Sequence, residues 1–136
     1  ENVFEDCTIG STGTIRAADN SEMRLETGAG ANSTWRRCRF VSASSTATKT
    51  LVSIDTATAA IGYMIFEDCI FHNNSTNWAT PLTDAFSIAA PGMTNYIILK
   101  GCQLVGVTGW GTNVTTMYQT MPAPVNTGGT NVAPAA

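Results

Sequence analysis

Charged side chains are scarce in this chain. Asp, Glu, Lys and Arg make up 12% of its 136 residues, about half the usual share for a globular domain. With ten acidic and seven basic residues the net charge is −3, so there is no basic footprint for a nucleic acid or an anionic membrane. Neither is expected as a partner. There is one histidine, His72, and no close pair of cysteines, which removes the ligand spacing of a zinc site. No apolar run approaches the roughly 20 residues of a membrane-crossing helix. No acid-rich loop offers several oxygens to calcium, and no Gly-rich phosphate loop, G-x-S-x-G or H-E-x-x-H motif occurs. No metal or cofactor is therefore expected. Helix formers are sparse too, and no 3.6-residue apolar period lasts three turns, which excludes helical repeats.

Polarity comes instead from Thr, Ser, Asn and Gly, the residues of turns and strand exteriors. Between them stand short runs rich in Ile, Val, Phe, Tyr and Thr. One phrase recurs four times: "VFEDCTI" (3–9), "STWRRCRF" (33–40), "MIFEDCIF" (64–71) and "IILKGCQL" (97–104). It holds every cysteine of the chain, Cys7, Cys38, Cys69 and Cys102, at intervals of 31, 31 and 33 residues. Even spacing of this kind marks a repeat and not a ligand set.

The phrase also carries a geometry. Phe4, Trp35, Phe66 and Leu99 lie three residues before the cysteines, and Ile9, Phe40, Phe71 and Leu104 two after. A straight strand would put positions −3 and 0 on opposite faces. Both positions are apolar in all four copies, so the chain must turn a corner between them. The intervening pairs, Glu5-Asp6, Arg36-Arg37, Glu67-Asp68 and Lys100-Gly101, then point outward at the bend. Further strand material is expected at 14–17, 23–25, 51–54, 85–88 and 116–118. The loops are expected at 42–50, 72–84 and 106–114.

These features predict an all-β chain, a right-handed parallel β-helix (solenoid) of about four coils with a 31–33 residue repeat. The coils are expected at about 1–31, 32–62, 63–95 and 96–121. Residues 122–136, with three prolines, two glycines and no charge, cannot continue a ladder and form an irregular C-terminal tail or cap. The chain starts at Glu1, inside a repeat and without an initiator Met, and is expected to be a processed or partial segment of something longer.

Coils stacked about 4.8 Å apart place like positions in columns. The cysteine column is expected to face inward as a structural ladder. Its members come just within disulfide reach, but free thiols packed as small hydrophobes are the expectation. The corner column of Glu5, Asp6, Arg36, Arg37, Glu67, Asp68 and Lys100 alternates in sign from coil to coil. Exposed pairs contribute only about 0–1 kcal/mol each, so their expected value is to hold register, because like charges directly opposite are unfavourable.

Many parallel β-helices cleave polysaccharides, so carboxylate pairs are candidate catalysts. Glu5/Asp6 and Glu67/Asp68 should lie two coils apart, about 9–10 Å, near the upper limit for an inverting pair. The intervening Arg36 and Arg37 would hold both groups ionised. Asp55 and Asp84 flank strand segments and read as turn formers, and His72 reads as a turn residue. Trp78 and Trp110, with Asn73, Asn74, Asn77 and Asn113 nearby, form either a stacking platform for sugar rings or loop-packing anchors. The packing reading is preferred. Asn32, Asn73, Asn74 and Asn113 open N-x-S/T sequons.

With "VFEDCTI", "WRRCRF", "IFEDCIF" and "LKGCQL" stacked, residues 1–121 resemble parallel β-helix (pectate-lyase-like) domains, in particular those of tailed-phage virion proteins. The resemblance implies a structural protein of a bacteriophage virion: a capsid decoration protein, a head fibre, or a domain on the capsid subunit. Such proteins are often homotrimers, so self-association and contacts with other virion proteins are expected. The location would be the virion, assembled in the host cytoplasm, with an extracellular bacterial surface as the alternative. The catalytic residues of lyase relatives have no motif here to map onto, so no enzymatic activity is expected. The competing reading is a glycan-binding or depolymerising tail-spike fragment. Reversing Arg36-Arg37 to Glu-Glu should lower the melting temperature by more than one lost ion pair explains, and most at low salt. Unchanged melting at low ionic strength would contradict a role in register.

Overall fold

The computed structural model describes residues 2–16, 21–25, 33–44, 46–54, 63–74, 81–88, 96–111 and 117–121. Among them are thirteen strands and no helix: β1 (Asn2–Glu5), β2 (Thr8–Arg16), β3 (Met23–Leu25), β4 (Ser33–Arg36), β5 (Arg39–Ser44), β6 (Val52–Ile54), β7 (Tyr63–Glu67), β8 (Ile70–Asn73), β9 (Leu82–Ile88), β10 (Tyr96–Lys100), β11 (Gln103–Val105), β12 (Val107–Gly111) and β13 (Met117–Met121). They form three sheets, in the orders β1-β4-β7-β10-β13, β2-β5-β8-β11 and β3-β6-β9-β12. Every third strand thus returns to the same sheet, and each pairing is parallel. The chain is all-β, and its pairing is compatible with stacked coils.

The repeated phrase sets the register. Phe4, Trp35, Phe66 and Leu99 stand in one row of the first sheet, and Glu5, Arg36, Glu67 and Lys100 in the next. Ile9, Phe40, Phe71 and Leu104 share a row of the second sheet. Between the two sheets lies the corner. Its second residue has positive φ in every unit: Asp6 at 54°, Arg37 at 52°, Asp68 at 52° and Gly101 at 62°. Glycine and, less readily, aspartate tolerate this left-handed conformation. Arg37 takes it at a cost of about 1 kcal/mol. The corners are therefore alike in shape, and the ladder runs through them without a break. Asp6, Arg37 and Asp68 each donate an amide N–H to the next unit's carbonyl, at Arg36, Glu67 and Lys100. Beyond the corner Arg39, Ile70 and Gln103 donate back to Cys7, Cys38 and Cys69.

All three sheets contribute to one core. Trp35 and Phe66 come from the first, Phe40, Phe71 and Leu104 from the second, and Val52, Ile54, Phe86, Val107 and Trp110 from the third. Rings stack along the rows: Trp35 on Phe66 at 4.7 Å, Phe40 on Phe71 at 4.8 Å. Across rows they meet edge-on, Phe66 with Phe71 at 5.7 Å and with Phe86 at 5.3 Å. Each buried side chain of this size contributes about 1.5–3 kcal/mol. The rows leave little room elsewhere. A Cβ added to Gly10 would lie 2.0 Å from the Val41 carbonyl oxygen, and its φ of +100° is open to glycine alone.

The third strand lies where it was expected in the first three units, as β3, as β6 and within β9, and departs from the expected position in the fourth. Residues 106–114 were expected to be a loop, yet 107–111 form β12, which pairs with β9. Only Gly106, with φ 66°, separates it from β11, so a single left-handed glycine makes the bend that a loop was expected to make. The segment at 116–118 falls largely in β13, which joins the first sheet beside β10 and so opens a further turn. The expected loops at 42–50 and 72–84 begin inside strands, Ser42–Ser44 in β5 and His72–Asn73 in β8, and the second ends in β9. The tail at 122–136 lies outside the described residues.

One buried contact has no counterpart in the repeat. Lys49 Nζ sits 2.5 Å from Glu22 Oε1, with side chains 0% and 2% exposed. The pair ties the first unit to the second beside Gly10. Replacing Lys49 with Met should strand a buried carboxylate and cost about 3–5 kcal/mol in denaturant unfolding. The double replacement Lys49→Met, Glu22→Leu should recover most of that loss. Equal loss in both variants would show that packing, and not charge, makes the contact matter.

Candidate functional site

The most organised polar surface is the corner column. Because Glu5, Arg36, Glu67 and Lys100 share one row, each charge meets its opposite on the neighbouring strand. Arg36 bridges two units, with Nε 2.7 Å from Glu67 Oε2 and Nη1 3.3 Å from Glu5 Oε1. Lys100 Nζ lies 3.1 Å from the other oxygen of Glu67. One residue further on, Arg37 grips Asp6 with two bonds of 2.8 and 2.9 Å. The alternation expected of the sequence is thus made of actual contacts.

This geometry fixes protonation states. Hydrogen bonds from Arg36 and Lys100 hold Glu67 below the ordinary carboxylate range, and the bond from Arg37 does the same for Asp6. Arg36 and Arg37 are correspondingly raised by their carboxylate partners. A glycosidase needs one carboxyl kept protonated as an acid. These groups are held in the opposite state, which suits a bonded ladder.

The cysteine column lies just inside the corner. Cys38, Cys69 and Cys102 are buried, and all four cysteines are free. Cys7 holds the equivalent place in the register but is exposed, because β1 and β2 are edge strands. The sulfur is not merely a filler. Cys38, Cys69 and Cys102 Sγ lie 3.5, 3.4 and 3.2 Å from the carbonyls of Phe4, Trp35 and Phe66 in the preceding units. Each also reaches the carbonyl two residues before it, in its own corner. A thiol is small enough for the corner and supplies a weak donor there. Burial raises Cys38, while the hydrogen bond with Cys102, then burial, pushes Cys69 up. Cys38 and Cys69 stay thiols at neutral pH and are poor nucleophiles, while the same Cys69–Cys102 hydrogen bond moves Cys102 down.

The remaining candidates separate. Trp110 is 2% exposed and packs edge-on against Phe71 at 5.5 Å, so it is a core residue and offers no face to a sugar. Trp78 and Asp55 lie outside the described residues, as do Asn32, Asn77 and Asn113. Asn73 is buried, its Oδ1 accepting from the Ser44 amide at 2.9 Å and its Nδ2 donating to the Ser44 carbonyl at 3.3 Å. That excludes it from both a sugar platform and glycosylation in the folded chain. His72 lies within β8, opposite Val41 and Val105, and is no turn residue. Its pKa is lowered by burial and then by Arg39. Asp84 likewise sits in a strand, opposite Gly109, with its pKa raised by burial. Among the described residues no group of three or more His, Cys, Asp or Glu side chains could hold a metal ion.

Sequence reasoning missed the Lys49–Glu22 pair. Lys49 stands in a Ser/Thr-rich stretch with no periodicity, and nothing in it signals a buried charge. Compared with family models, curated proteins and solved structures, the chain matches none.

The acid limb of stability follows from the corner. Asp6 and Glu67 have folded pKa values below their unfolded ones, so their contribution is complete above the unfolded carboxylate range. It is lost as pH falls through the folded values. Melting temperature should be level above about pH 5 and should fall progressively below about pH 4. Arg37→Gln should flatten part of that fall, as should about 0.5 M salt, which screens exposed pairs. An identical acid limb in Arg37→Gln would rule out the Asp6 contribution.

Proposed function

We propose that the three parallel sheets close as a right-handed parallel β-helix of about four coils, and that this rod is a non-enzymatic structural module of a virion. It would decorate a capsid, form part of a head fibre, or extend a capsid subunit, presenting a rigid surface that associates with its own copies. The observation that carries the reading is the repeated corner. One phrase, resembling those of phage β-helix domains, recurs in register through four units and joins the first two sheets around a core to which all three contribute. Rigidity follows, since every unit is held by backbone ladders on both flanks of the corner. The state of the polar groups supports a structural role over a catalytic one: Asp6 and Glu67 are ion-paired and held ionised, and the Cys38 and Cys69 thiols are pushed up, towards the protonated form.

The glycan-binding or depolymerising spike reading loses Trp110, one of the two aromatic rings on which it was built. Sedimentation over a range of concentrations should give a homotrimer, and antibodies against the chain should label intact virions. A monomer that cleaves a polysaccharide would overturn the reading.

A further inference from the structure

Three buried cysteines stand in one column inside the corner, and the register sets their spacing. Glu67 pairs with Lys100 and Ile70 with Gln103. Cys69 and Cys102, each one residue before the second of these pairs, therefore face each other on neighbouring strands. Backbone bonds hold the chain on either side of them. Asp68 donates to the Lys100 carbonyl at 2.7 Å, and Gln103 to the Cys69 carbonyl at 2.9 Å. Neighbouring strands lie about 4.8 Å apart, inside the Cα separation of about 4.4–6.8 Å that a disulfide spans. The step from Cys38 to Cys69 meets the same condition, and two observations separate the two steps.

The first is contact between the thiols. Cys69 and Cys102 share a hydrogen bond between their side chains, whereas the bond that Cys69 makes with Cys38 is to its backbone. The second is the residue before each cysteine. Drawing two sulfurs together to about 2.05 Å needs a small tilt of the backbone at one of them. Before Cys102 stands Gly101, which takes its φ of 62° without steric cost. Before Cys38 stands Arg37, held to Asp6 by two bonds of 2.8 and 2.9 Å. The fourth corner can give where the second is clamped.

The geometry points to Cys69 and Cys102 as an oxidation site, a thiol pair set to form a disulfide between the third and fourth units with a hydroperoxide as the oxidant. Their shared hydrogen bond raises Cys69 and lowers Cys102, so the proton stays on Cys69 and Cys102 supplies the thiolate. That thiolate attacks one oxygen of the peroxide. The O–O bond breaks, an S–OH group forms on Cys102, and the departing hydroxide takes up the proton that Cys102 had released, leaving as water. The Cys69 sulfur then attacks the Cys102 sulfur. The S–O bond breaks, the S–S bond forms, and the hydroxyl leaves with the Cys69 proton as a second water. The two thiols lose two electrons and the peroxide gains them. Hydrogen peroxide is close to water in size, which suits a pair only 0% and 3% exposed. The bond ties β7 and β8 to β10 and β11, and it does not depend on the virion reading.

The full chain is treated with hydrogen peroxide in native buffer and quenched, and its remaining thiols are alkylated in denaturant. Mass spectrometry of the peptides then locates the links. A Cys69–Cys102 link within one chain is expected, at least about tenfold in excess of a Cys38–Cys69 link. Repeated in denaturant, the preference should vanish, because the two links close loops of nearly equal length, spanning 33 and 31 residues. In the folded state Cys38→Ser should leave the Cys69–Cys102 link unchanged, and a dithiol should reverse it. The oxidised chain should also unfold at a higher urea concentration than the reduced one. The comparison between links uses the unaltered chain, so a poorly folded variant does not blunt it. Thiols left unreacted, links mainly between chains, or an equal share of Cys38–Cys69 would overturn the proposal. So would the same preference in denaturant, since the fold would then not be its cause.

Discussion

Everything in this structure depends on a corner that has the same shape in each unit. At Asp6, Arg37, Asp68 and Gly101 the backbone enters the left-handed region, which turns one strand into the next within two residues. Because four corners bend alike, the strands on either side stay parallel and in register. Amide and carbonyl groups then meet across units both before and after the bend. A corner of different shape in one unit would displace two sheets at once. The thiol just inside the bend belongs to the same device, since its sulfur lies near a carbonyl of its own corner and one of the unit before. Arg37 is the costly member of the set, taking a conformation its side chain disfavours while making the two-bond contact to Asp6.

The few charges of the chain are used in two ways. Those of the corner column are half-exposed, so each pair contributes little free energy by itself. Their alternation matters because a shifted stack would set like charges together, which turns several weak attractions into a penalty on the wrong register. Lys49 and Glu22 are the other kind. Removed from water together, they do little for net stability as a pair, but either one alone would be a buried charge without its partner.

The same arrangement limits the chemistry available. Carboxylates that accept bonds from Arg or Lys are held ionised, the buried Cys38 and Cys69 thiols are pushed towards the protonated form, and Trp110 is spent on packing against Phe71 and Phe86. What the described surface offers is shape: a flank of alternating charge and, at one end, three strands without outer neighbours.

From the sequence alone, the repeat, the β class, the inward aromatic rows and the alternating corner were legible. Each is written in residue types at a fixed interval, and stacking in register is the arrangement that satisfies all four copies together. The Lys49–Glu22 contact, the burial of Asn73 and the strand at Trp110 were not legible, because they lie where the repeat carries no pattern. Their environments are made by distant segments: Ser44 turns Asn73 into a buried bridge, and β9 turns residues 107–111 into a strand. Cys7 shows the remaining gap. Its phrase matches the others, but whether a cysteine is buried depends on a neighbouring unit, and only the tertiary structure shows that, among the described residues, the first unit pairs on one side alone.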